Sequence, residues 1–94
     1  MRIRFAPEAV ADMTAAYEYI GERNPTAARR LATRVFEVID HLSAGDFEGA
    51  EQRLTTGERV RTWPVPPFRL YYRTTAGELD VLRLYHQARR PISE

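Results

Sequence analysis

The spacing of apolar residues in this chain changes period once, and that change limits the fold more than any other feature. Ala9, Met13, Ala16, Tyr17 and Ile20 recur at helical spacing, as do Ala28, Leu31, Val35, Val38, Ile39 and Leu42. From residue 58 onward, polar and apolar residues alternate instead, as strands require. The first pattern predicts a helix over 7–22, opened by Pro7 with Glu8 in its first turn and closed by Gly21 and Asn24-Pro25. A second helix follows, capped by Asn24 and stopped at Ser43-Ala44-Gly45. So short a link makes the two helices an antiparallel hairpin, and the alanines of the first let them approach closely.

Arg2-Ile3-Arg4-Phe5 reads as a short strand ahead of the helices. Residues 58–64, 68–74 and 79–86 read as three more, with Pro66-Pro67 forcing one turn and Ala76-Gly77-Glu78 another. Residues 45–57 scatter three glycines among acids and are expected to form a loop with at most a helical turn. The order β-α-α-β-β-β describes an α+β fold, a helical hairpin packed on one face of a small antiparallel sheet. At 94 residues the chain is one domain, 1–94, with Leu31, Val35, Leu70 and Leu82 expected in the core.

There is no cysteine, which removes disulfides, thiolate metal sites and cysteine nucleophiles together. With His41 and His86 as the only histidines, neither a metal nor a cofactor is expected. No apolar run approaches ~18 residues and the start is not a signal peptide, so the expectation is a cytoplasmic protein that does not enter a membrane. The formal net charge of +1 conceals an asymmetry: residues 59–90 hold seven arginines against Glu78 and Asp80. Every basic residue is arginine, so no lysine can serve as base or Schiff-base former.

Strand alternation then sorts side chains by face. Phe68, Leu70 and Tyr72 share one face; Arg69, Tyr71 and Arg73 share the other. Strict alternation groups Leu82 with Leu84 and sets Val81, Arg83 and Tyr85 opposite them. With the apolar sets turned to the helices, Arg59, Arg61, Trp63, Arg69, Tyr71, Arg73, Arg83 and Tyr85 are expected on the uncovered face. Arginine stems covering rings would suit any exposed face, but so little acid among them points to an acidic peptide or polyanion as counterpart. On this reading, replacing Arg61, Arg73 or Arg83 leaves the fold intact.

The residues at this point resemble the ParE branch of the RelE/ParE superfamily of type II toxin–antitoxin toxins. The resemblance rests on Ala9-x-x-Asp12-Met13, Tyr19-Ile20, Asn24-Pro25-x-Ala27-Ala28 and Ile39-x-x-Leu42 in the helices. More specific are Arg59-x-Arg61, the run Pro67-Phe68-Arg69-Leu70-Tyr71-Tyr72-Arg73, and Val81-Leu82-Arg83-Leu84-x-His86-x-Ala88-Arg89. Asp46-Phe47-Glu48-Gly49-Ala50 departs from the pattern, since the family often has a Pro and Gly pair there.

The resemblance implies a toxin neutralised by a co-encoded antitoxin whose flexible tail wraps it. RelE-like members cut messenger RNA on the ribosome, whereas ParE-like members inhibit DNA gyrase. Cutting RNA needs a base, an acid and cations around the phosphorane. Arg61, Arg73, Arg83, Tyr85 and His86 would be that catalytic set. His86 is its one plausible base, yet alternation sends it to the helix side or the strand end; His41 suits the end of its helix as a cap. The expectation is therefore a gyrase inhibitor without catalysis. An mRNA endoribonuclease, or a member that only binds its antitoxin, are the alternatives. Arg89 and Arg90, in a tail beyond the last strand, are expected to grip the target.

Overall fold

The computed structural model describes residues 1–87. Pro7 and Pro25 lack the N–H that a helix leaves unpaired at its start, and each opens one: α1 is Pro7–Arg23 and α2 is Pro25–Ala44. Asn24 serves both. Its backbone N–H donates to the Ile20 carbonyl at the end of α1, and its side-chain oxygen accepts from the Ala27 N–H at the start of α2. Gly21 stays inside α1, with Ala28 beside it across the hairpin. At the far end of α2, Gly45 adopts φ 83°, a left-handed cap that glycine takes without strain.

The strands are β1 (Arg2–Phe5), β2 (Ala50–Arg53), β3 (Arg59–Val65), β4 (Phe68–Thr75) and β5 (Glu78–His86). They form one sheet in the order β1-β5-β4-β3-β2. β1 runs parallel to β5 and the other neighbours are antiparallel, so the sheet is mixed. The helical hairpin lies on one face. Ala9, Met13 and Ala16 of α1 and Leu31, Val35, Ile39 and Leu42 of α2 pack there on Val65, Phe68, Leu70, Tyr72, Leu79, Val81 and Leu84.

Two differences from the sequence reading bear on function. The segment 45–57, expected as a loop, contains β2, whose Ala50-Glu51-Gln52-Arg53 has no β-branched or aromatic residue. Pairing with Arg59–Thr62 makes it a strand, and Gly49 just ahead of it admits no side chain: a Cβ there would lie 2.2 Å from the Thr62 carbonyl oxygen. The second difference is a bulge. Tyr71 pairs with Arg83 but its neighbour Tyr72 pairs with Val81, leaving Leu82 as an extra residue. Val81 and Leu84 therefore both enter the core, while Leu82 is only half-buried outside it. Leu31, Val35 and Leu70 are buried as expected.

Candidate functional site

Cross-strand partners share a face, so the register assigns the side of the sheet away from the helices. Arg69 pairs with Tyr85, Tyr71 with Arg83 and with Thr62, and Arg73 with Asp80. These side chains, with Val60, make the open face. Tyr71 lies at its centre, 3% exposed, with the Tyr85 ring edge-on at 5.6 Å. Arg83 lies 4.5 Å over the Tyr85 ring, and Arg69 donates to Thr62 Oγ1 at 2.9 Å. The bulge accounts for part of this grouping: it turns Val81 inward while leaving Arg83 and Tyr85 out.

Arg59, Arg61 and Trp63 lie on the opposite side from the one expected. Trp63 pairs with Leu70 and Arg61 with Tyr72, both core residues, so this stripe of β3 faces the helices. Trp63 stacks flat on Phe47 at 4.5 Å, and Phe47 stacks on His41 at 4.6 Å. His41 accordingly has ring and carboxylate partners at the helix end, the second being Asp46 at 2.9 Å. Arg61 donates to the Gly49 carbonyl at 2.8 Å, and Arg59 pairs with Glu51 at 3.8 Å. The open face thus holds Arg69, Tyr71, Arg73, Arg83 and Tyr85 of the eight residues expected there. His86 ends β5 beside the edge of Phe68, 5.4 Å away, as alternation suggested. Arg89 and Arg90 lie outside the described residues.

The family model for the ParE toxin of the type II toxin–antitoxin system parDE matches residues 3–91. The chain belongs to the ParE toxin family. A curated relative, Toxin RelE2 of Caulobacter vibrioides, is 36% identical over 81 residues, which is 86% of this chain and 89% of that protein. Among solved structures, a chain of the chromosomal ParDE TA system from P. aeruginosa matches with TM-score 0.73 at 23% identity. It covers 92% of this chain and 95% of that one, a likeness of fold. Membership in the ParE family makes this a type II toxin and implies an antitoxin as its partner.

The acids that the ParE-family sequence hides from a local count come from distant positions. Asp12 of α1 forks Arg83 at 2.8 and 3.1 Å and also accepts the Leu84 N–H at 3.0 Å. That bond to Asp12, ahead of the opposing effect of burial, raises the Arg83 guanidinium above its ordinary value. Arg73 meets Glu58 and, at 3.8 Å, Asp80; Arg61 meets Glu48 at 3.9 Å. Of these partners only Asp80 falls within residues 59–90; Asp12, Glu48 and Glu58 lie outside that count. A signal existed in Asp12, an acid one residue from core-facing Met13 on the apolar side of its helix. Burial pushes the Tyr71 phenol up, only partly offset by Arg69, so it stays protonated at neutral pH and can donate but not abstract a proton. Among the described residues no group of three or more His, Cys, Asp or Glu is placed to hold a metal ion, and no helix is long and apolar enough to cross a membrane.

Proposed function

We propose that this ParE-family chain acts in the cytoplasm by binding and inhibiting DNA gyrase, without chemistry of its own, and that its antitoxin covers the open sheet face. One observation carries the reading. The guanidiniums a ribonuclease would turn to a phosphorane are engaged by the chain's own carboxylates, Arg83 by Asp12 and Arg73 by Glu58 and Asp80. Cations already neutralised in this way stabilise a developing anion poorly. A surface of arginine and tyrosine held in fixed positions suits protein recognition instead.

Arg69, bonded to Thr62 Oγ1, keeps further N–H donors for an incoming carboxylate. The antitoxin segment is therefore acidic with apolar anchors, and part of it folds on binding. Arg59, Arg61 and Trp63 extend the contact round the β3 side, and Arg89 and Arg90 belong to the target contact. The name of the Caulobacter relative, RelE2, favours a second reading, a ribosome-dependent endoribonuclease using Arg61, Arg73, Arg83, Tyr85 and His86.

Inducible expression with growth followed, then gyrase supercoiling and ribosomal mRNA cleavage assays, separates them. The expected outcome is growth arrest relieved by the co-encoded antitoxin, lost supercoiling and intact mRNA. Cleaved mRNA with normal supercoiling installs the second reading. Normal growth together with tight antitoxin binding reduces the chain to an antitoxin-binding remnant. In the same set, Arg69→Ala is expected to weaken antitoxin affinity at least tenfold with an unchanged melting temperature.

A further inference from the structure

The outer face of the first half of α2 carries Thr26, Arg29, Arg30, Thr33 and Arg34, which line one shallow groove and are all exposed. Their spacing brings them onto one stripe about 12 Å long. No acid occurs between Asn24 and Phe36. The open-face arginines Arg73 and Arg83 are held by carboxylates, whereas Arg29 and Arg34 of α2 bond neutral oxygens. Arg29 donates to Thr26 Oγ1 at 3.3 Å, and Arg34 donates to the Pro66 carbonyl at the β3–β4 turn. Arg30 has no hydrogen-bond or ion-pair partner among the described residues. The positive end of the helix dipole adds to the same field.

We propose that this stripe binds the phosphate backbone of duplex DNA. Guanidinium and hydroxyl donors in a row match phosphate oxygens, and such contacts position a protein on a duplex without reading its sequence. The stripe carries no aromatic ring, so it offers no platform for unstacked bases, which argues against single strands and RNA loops. The exposed outer face of a helix also fits beside the wide major groove of B-form DNA rather than the deep, narrow one of A-form RNA. The inference goes beyond the gyrase reading and does not depend on it.

Fluorescence anisotropy of the full chain with a labelled 20-base-pair DNA duplex, titrated at several salt concentrations, tests it. Three phosphate contacts predict a log–log salt slope of about −2.7, which is about a 40-fold loss of affinity between 50 and 200 mM. The Arg29→Gln/Arg30→Gln variant is expected to shift that slope by about two units towards zero, while Arg30→Lys keeps it. Arg69→Gln, on the sheet's open face, is expected to leave it unchanged. No binding at 50 mM salt, an unchanged slope in the double variant that melts like the parent, or an equal loss in Arg69→Gln overturns the proposal. Tighter binding of duplex RNA or of a single strand overturns it as well.

Discussion

β1 stops at Phe5 while β5 runs on to His86, so the N–H groups of β5 beyond Val81 find no strand on that side. Asp12 takes the Leu84 N–H and, with the same carboxylate, the Arg83 fork. Its side chain is 14% exposed and that of Arg83 29%, so the pair is largely withdrawn from solvent. Removing the carboxylate strands both a guanidinium and a backbone donor. Asp12→Ala is expected to cost about 2 kcal/mol, measured as a lowered urea midpoint with the slope unchanged. Arg83→Ala is expected to cost about half as much, since Asp12 keeps the Leu84 N–H. Arg83 therefore holds the fold as well as the face, contrary to the expectation that its replacement leaves stability untouched.

The bulge at Leu82 makes a sharper test of how β5 is seated. Val81 is fully buried, so Val81→Ala is expected to lose about 2 kcal/mol, and Leu82→Ala, outside the core, about 1 kcal/mol. Thermal unfolding of the two variants side by side checks the order; a reversed order would restore strict alternation. Much at this scale was legible in the sequence. Asn24-Pro25 gives the hairpin its corner, and Phe68, Leu70 and Tyr72 declare the core face of β4. An extra residue inside a strand leaves no such mark, because Val81-Leu82 are both apolar. β3 was misread for a different reason. Alternation in Arg59-Val60-Arg61-Thr62-Trp63 says which residues travel together, not which way they point. The charged set ends on the helix side because it can still reach water and acids there: Arg59 remains 61% exposed beside Glu51. β2, without strand-forming residues, exists by pairing and not by propensity.

At the scale of the whole molecule, Tyr17 of α1 and Tyr71 on the open sheet face carry phenols that folding makes harder to ionise. Burial raises both above the ordinary value of 10.0. A raised folded-state value means the native chain holds its proton more tightly than the unfolded one. The stability this contributes is complete below pH 10 and is lost as pH rises through the folded values. Urea midpoints at pH 9 and 11 are expected to fall, and the fall is expected to shrink in Tyr71→Phe. An equal fall in that variant would move the effect elsewhere. At neutral pH, Tyr17→Phe is expected to stabilise by about 1 kcal/mol, because the Tyr17 hydroxyl is buried without a partner among the described residues. The sheet order has a further consequence, in time. Among the described elements β1 is made before the rest and β5 after them, yet the two are strand neighbours, and Asp12 likewise waits for Arg83. A chain ending at Thr75 lacks both, and is expected to be protease-sensitive with no cooperative melt. Interrupted synthesis short of β5 would then yield an unfolded peptide rather than a weakened toxin, because the sheet closes only when β5 arrives.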